Sequence, residues 1–222
     1  MVPLDSTHRN PPDTRPLGAG DPSTRLKAAL AVGAHGDPGA VDALIARSAV
    51  EPDFFVRDML TWALTRLPTE VTLPRLRAEL LSGSAQARSQ ALHTLSKIGD
   101  PGSWSAISRS LLSDADDEVA RSAWRAAVVL VPYEGREGLA AELAAHLGRG
   151  DRTVRLSLSR ALVALADVIE PALATGLASE NPSVRAHARA TRRLLDDPDA
   201  GFDPDAEEAK RIVALGPHGA PC

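Results

Sequence analysis

Two groups of residues have the types and spacing to do chemistry. Arg125, Arg160, Arg189 and Arg193 recur at related places in the second half of the chain, and guanidinium forks of this kind hold carboxylates and phosphates through paired hydrogen bonds. Upstream, Asp58 and Trp62 stand one helical turn apart with Arg66 a further turn on, and Thr61, Thr65 and His93 share their register. That set offers a carboxylate, a large flat anchor and several hydrogen-bonding groups to a ligand. Reactive constellations do not occur: none of the six histidines has a second at ligand spacing. Nor is there a Ser/His/Asp ordering, nucleophile elbow, phosphate loop or dinucleotide fingerprint. The expectation is a non-catalytic chain with no catalytic residue, cofactor or metal. The run "DPDAGFDPDAEE" from Asp197 to Glu208 spaces its acids somewhat like a calcium loop, but its glycine is one place early and two prolines intrude.

The element that must position these residues is a repeat. An arginine recurs about every 32 residues, at Arg25, Arg57, Arg88, Arg121, Arg155 and Arg185, and four positions before each stands Asp21, Asp53, Ser84, Asp117, Asp151 or Asn181. Such residues accept hydrogen bonds from the first N–H groups of a helix, so each marks an N-terminus. After each arginine the apolar positions fall three, six and seven residues on, one stripe at helical period. The three-later place holds Ala28, Leu60, Ala91, Trp124, Leu158 and Ala188; the seven-later place holds Val32, Leu64, Leu95, Val128, Leu162 and then Arg192. Second segments begin near Pro38, Pro68, Pro101, Pro132 and Pro171, where a missing N–H costs nothing in a first turn. Two helices per repeat follow, and a fixed period of this length means stacked units that commonly serve as binding surfaces.

At 100° per residue, the positions one, four, five and eight after the arginine face away from the stripe. Asp58, Thr61, Trp62, Thr65, His93, Arg125, Arg160, Arg189 and Arg193 occupy such positions and are the candidate partner-binding residues of a concave face. Trp62 is either an exposed anchor or a side chain folded over a neighbouring repeat. The arginines are either a solvated face or a groove for an acidic peptide or nucleic acid.

Composition narrows the class. Apolar residues make up 44% but aromatics only 3% of the 222 residues, which suits close packing among many helices and predicts an all-α chain. A net charge of −4 argues against a general nucleic-acid binder while leaving room for a local basic patch. The single cysteine, Cys222, excludes an internal disulfide and a cysteine-based metal site, and no segment is apolar enough for a signal peptide or a bilayer span. A cytoplasmic protein is expected, without membrane association. Residues 1–20 are rich in proline and polar residues and are expected to be a disordered tail. Residues 21–197 form the repeat region; 198–222 form an acidic connector, a short helix from about Asp205 to Leu215 and a loose tail.

The segments "DFFVRDMLTWAL", "SAQARSQALHTLSKIGD", "DEVARSAWRAAV", "DRTVRLSLSRALVALAD" and "NPSVRAHARATRRL" resemble HEAT repeats of the short bacterial class also seen in phycobilisome-lyase-like proteins. The resemblance implies a right-handed α-α superhelix, a HEAT/armadillo-like solenoid of about five to six two-helix repeats. It implies that the capped, arginine-bearing helix is the inner one and the proline-led helix the outer. A ladder of arginine and Asp/Asn between neighbouring repeats would give Asp53, Arg57, Arg88, Asp117, Arg121, Asp151, Arg155, Asn181 and Arg185 a structural role. The class consists mostly of interaction scaffolds, which implies a protein partner, an acidic segment being the natural one for the arginines. A family of DNA glycosylases is built from similar repeats and uses a concave-face Asp, tryptophans and basic residues. Asp58, Trp62 and Arg66 resemble that equipment without its order, so a DNA-binding or glycosylase-like enzyme is the alternative.

Overall fold

Each inner helix starts where a short polar side chain folds back onto its own first turn. The computed structural model describes residues 12–199 and 201–202. Asp21 accepts from Thr24 N (2.8 Å), Asp53 from Val56 N (3.0 Å), Ser84 from Ala87 N (3.3 Å), Asp151 from Val154 N (2.9 Å) and Asn181 from Ser183 N (2.9 Å). Caps of this kind are worth about 1 kcal/mol each. The expected cap Asp117 is displaced by one residue: Asp116 takes the N–H groups of Glu118 (2.9 Å) and Val119 (3.1 Å), and Asp117 becomes the first helical residue.

The described residues are all-α, with no strand among them, and the chain divides into two compact units at Ile98/Gly99. In the first, inner helices α1 (Pro22–His35), α3 (Phe54–Arg66) and α5 (Ala85–Ile98) lie side by side, and α2 (Val41–Ser48) and α4 (Thr69–Glu79) form the outer row. In the second, α6 (Arg109–Leu112), α8 (Arg136–Ala144) and α10 (Glu170–Leu177) pack outside the inner helices α7 (Asp117–Leu130), α9 (Arg152–Val163) and α11 (Pro182–Asp196). The proline-led segments open as expected, although at Pro38, Pro101 and Pro132 the first turn is a 3₁₀ helix.

The stripe is the core of each unit: Leu60, Leu95, Trp124, Leu158 and Leu162 are completely buried. Arg192, which breaks it, leans to the outer row and pairs with Glu170 of α10 (Nη1–Oε1 2.6 Å). Burial reaches further round the inner helices than the stripe, however. Gly33 of α1 lies so close to α3 that a Cβ there would sit 2.6 Å from Trp62 Cζ3 and 2.8 Å from Ala63 Cα.

The repeated arginines bond the loop just before their own helix. Arg25 donates to the carbonyls of Ala19 and Gly20 (2.9 Å each), Arg57 to Glu51 (3.0 Å) and Pro52 (2.8 Å), Arg88 to Ser82 (2.8 Å), and Arg185 to Ser179 and Glu180 (2.7 Å each). The acceptors are the carbonyls six and five residues back. For Arg25, Arg57 and Arg185 these loop carbonyls stand where the ladder with the Asp and Asn of neighbouring repeats is expected, and Asp21, Asp53 and Asn181 cap their own helices; Asp117, which is not a cap, instead pairs with Arg149 of the next repeat. Two of the repeat arginines depart from the carbonyl pattern: Arg121 pairs with Glu118 (3.0 Å) and Arg155 reaches Ser183 (3.4 Å) in the next repeat.

Stitches between repeats come from the loops themselves. Glu51, fully buried, holds Arg25 through two bonds of 2.7 Å, takes Arg47 at 2.8 Å and accepts from Asp53 N at 2.9 Å. In the second unit the corresponding loop residue is Arg149, which reaches back to Asp117 Oδ1 (2.7 Å) and to the Asp114 carbonyl. Residues 12–20 also differ from the disordered tail expected over 1–20. Arg15–Gly18 is a 3₁₀ turn packed on α1 and α2, Leu17 is buried, and Arg25 holds the carbonyls that follow. Residues 1–11, and with them the rest of that expectation, lie outside the described residues, as do the expected helix at 205–215 and most of the calcium-like run.

Gly33→Ala is expected to lower stability by roughly 1–3 kcal/mol in chemical denaturation, because the added methyl meets a helix backbone that cannot step aside cheaply. Burial alone would push the Glu51 carboxyl up; the hydrogen bonds from Arg25, Asp53 N–H and Arg47 outweigh it and hold the carboxyl down to about 2. The ionised carboxylate therefore contributes stability that is present above its ordinary value near 4.5 and is lost as pH falls towards 2. Glu51→Gln should cost about 2–3 kcal/mol at neutral pH, the low end for a broken buried pair because the Arg47 side is partly open. It should also flatten the fall of melting temperature over that acid window.

Candidate functional site

Packing of inner helices against one another decides which outward positions stay accessible. The position four after the arginine is buried on α1, α3, α5 and α9, whereas the same place on α7, Arg125, stays exposed. Ala29 and Ser159 are completely buried there, and Thr61 is 4% exposed, so Thr61 is corrected from a ligand-facing residue to a packing one. What remains is a narrow strip.

In the first unit the strip carries Asp58, exposed and without a hydrogen bond or ion pair among the described residues, and Trp62. Trp62 is 38% exposed with its ring against Gly33 of α1, and Leu30, at the same register one repeat earlier, is 43% exposed. Both readings of Trp62 thus hold in part: it is folded over its neighbour and keeps one edge in solvent. Thr65 spends its hydroxyl on the Trp62 carbonyl (2.7 Å), and His93 is half-buried.

The arginines of the second unit are not equivalent. Arg125 donates to Ser122 Oγ (3.0 Å) and lies 3.6 Å from Glu118, so part of its charge is answered within its own helix. Burial and the neighbouring Arg121 together lower its pKa against the pull of Glu118. Arg189 and Arg193 are half-buried on α11. Arg160 of α9 is exposed, and its guanidinium makes no ion pair or hydrogen bond among the described residues.

Arg160 stands on the rim of a trough of about 270 Å³. One wall is a single face of α9, Arg152, Leu156, Arg160 and Val163; the rest is Leu194 of α11 with Pro198 and Phe202 of the segment that follows it. Phe202 is buried on Ala190 and Leu194, its ring 5.9 Å edge-on from His187, and its carbonyl accepts from Arg152 Nε (3.0 Å). Leu156 and Val163 pack against the same cluster. The trough therefore combines an apolar lining with two guanidinia, Arg152 and Arg160, on either side of Leu156 along α9, an arrangement suited to an apolar group flanked by negative charge. Sequence reasoning found Arg160 but missed Arg152 and Phe202, which belong to the site only because the chain after α11 returns onto α9.

Beneath the trough lies a buried polar network that periodicity did not single out. His187 Nδ1 accepts from Gly148 N (2.9 Å), which puts the ring proton on Nε2, where it donates to the Arg155 carbonyl (2.9 Å). Ser159 Oγ, 3.0 Å from the same Nε2, also meets Thr191 Oγ1 at 2.7 Å. With the imidazole enclosed and neutral, these bonds fix α9 against α11. Among the described residues no group of three or more His, Cys, Asp or Glu side chains could hold a metal ion, and no helix is long and apolar enough to cross a membrane.

No family model and no curated protein matches the chain. Among solved structures it is similar to human deoxyhypusine hydroxylase in complex with glycerol, at 18% identity over 92% of each chain and a TM-score of 0.42. That protein is an enzyme, and this corrects the expectation of a non-catalytic chain: the helix-pair architecture gives no ground for excluding catalysis.

His187 generates a prediction of its own. Burial lowers its pKa to about 4, helped by the charge of Arg155 and opposed by the bond to the Arg155 carbonyl. Neutral His187 contributes stability that is complete above the ordinary histidine value near 6.5 and is lost as pH falls through about 4. The contribution is about 3 kcal/mol at most. Melting temperature should drop between those pH values, and His187→Gln, although less stable at neutral pH, should show a shallower drop. The half-buried His146, also lowered by burial and Arg149, contributes to the slope that remains.

Proposed function

We propose that the protein is a helical-repeat binding protein whose second unit holds an acidic segment of a protein partner on the accessible faces of α9 and α11. The observation that carries this reading is the exposed, unpaired Arg160 beside Arg152 over an apolar floor. A carboxylate entering there gains a charge-assisted hydrogen bond without breaking an existing ion pair of Arg160. In a chain of net charge −4 such a local positive patch also focuses attraction and makes association sensitive to salt. Arg125, Arg189 and Arg193 are assigned a supporting role, since Arg125 already answers Glu118 and the other two are half-buried. The single cysteine, Cys222, fits the reducing cytoplasm we assign to it. Asp58 and Trp62 form a separate patch in the first unit, and no observation there favours DNA over protein.

The reading is tested with short fluorescent acidic peptides and a DNA duplex, followed by anisotropy at low and high salt. The double variant Arg152→Glu, Arg160→Glu should retain its helical circular dichroism and weaken peptide binding at least about a hundredfold, roughly the effect of losing two desolvated charge contacts. Arg125→Glu should weaken it less than about tenfold. Equal losses at all three arginines would spread the site along the whole strip. Duplex binding in place of peptide binding would overturn the protein-partner assignment.

A further inference from the structure

We propose that the segment taken by the α9/α11 trough is an extended peptide of the pattern acid, any residue, apolar, any residue, acid. This rests on the acidic-segment reading above and specifies its ligand. Arg152 and Arg160 are eight residues apart on one helix face, which at about 1.5 Å per residue places their backbones about 12 Å apart. In an extended chain, alternate side chains point the same way and each residue advances about 3.3 Å, so residues four apart span about 13 Å with one like-facing residue midway. Two carboxylates at that separation meet both guanidinia, and the middle side chain falls over Leu156, the apolar residue that lies between the arginines on α9.

Size and shape favour this occupant over others. A volume of about 270 Å³ is just under the range typical of cofactor and drug-sized sites, about 300–1,000 Å³, and suits a single large side chain. A ligand helix, about 10 Å wide with its side chains, would have to displace Pro198 and Phe202, which wall the trough opposite α9. Phe202 is held in place by burial on Ala190 and Leu194 and by the bond from Arg152 to its carbonyl. That bond uses one N–H of Arg152, and the rest of the guanidinium makes no other hydrogen bond among the described residues. Arg160 keeps all of its donors.

The test uses the full chain and three labelled peptides of identical composition or near it. One has the core Glu-Ser-Leu-Ser-Glu, the second Glu-Glu-Ser-Leu-Ser, and the third Glu-Ser-Ser-Ser-Glu. The first should bind at least about tenfold more tightly than either of the others. Arg160→Gln, a surface change that leaves melting temperature in place, should reduce that advantage to about twofold or less; Arg152→Gln should do the same with a small fall in melting temperature, since it also gives up the bond to the Phe202 carbonyl. Equal binding of all three peptides would overturn the pattern and leave the acidic-segment reading standing. Tighter binding by a helical peptide with its acids eight residues apart would overturn the extended geometry. If no acidic peptide of any pattern binds, the broader reading falls together with this one.

Discussion

The arrangement rests on a guanidinium that closes the loop between the two helices of a repeat. A loop that leaves an outer helix and must start an inner one exposes carbonyls that neither helix can satisfy. At Arg25, Arg57, Arg88 and Arg185 the side chain at the fourth place after the cap turns back and takes carbonyls from that loop. The cap orders the N–H groups of the new helix, and the arginine orders the C=O groups of the segment before it. Between them the direction of each inner helix is set, and with it the direction of every side chain on the strip. An arginine suits this task because one terminal nitrogen, Nη1, serves two adjacent carbonyls at Arg25, Arg57 and Arg185 and leaves the rest of the fork for other partners, as Arg25 does with Glu51.

Neighbouring repeats are then joined by whatever stands at the loop position that this arrangement leaves pointing backwards. In the first unit that residue is Glu51, bound to Arg25; in the second it is Arg149, bound to Asp117. The signs are opposite and the geometry is shared, so the link depends on a charge pair between successive loops and not on a particular residue. The two links differ in burial. Glu51 is enclosed and hydrogen-bonded on every side, whereas Asp117 remains about half exposed, so the first unit draws more of its cohesion from this pair.

The same lateral packing that stabilises each unit removes candidate binding residues from solvent. Small residues at Gly33 and Ala63 bring α1 and α3 close, and Thr61 and Ser159 are buried on their inner helices. At α11 no inner helix follows among the described residues, and Phe202 covers Ala190 and Leu194 of its apolar flank instead. The return of the chain after α11 leaves a trough where a further repeat would have left a seam. The last inner helix among the described residues thus keeps an accessible, partly apolar surface beside α9.

The sequence by itself determined the features that are local and periodic. Caps at Asp53, Asp151 and Asn181 act within three residues, and the stripe through Leu60, Leu95, Trp124 and Leu158 follows from helical geometry alone. The all-α class and the two-helix repeat follow from the same pattern. Tertiary structure decided whatever depends on a neighbour distant in sequence. Rotation about one helix axis cannot tell that Thr61 and Ser159 meet the next inner helix, because that flank is polar or small in composition and is buried only by contact. Partners such as Glu51 for Arg25, Asp117 for Arg149 and Phe202 for Arg152 lie 26, 32 and 50 residues apart. No spacing rule within a helix reaches across such separations; only the lateral stacking of repeats and the return of the chain after α11 bring those atoms together.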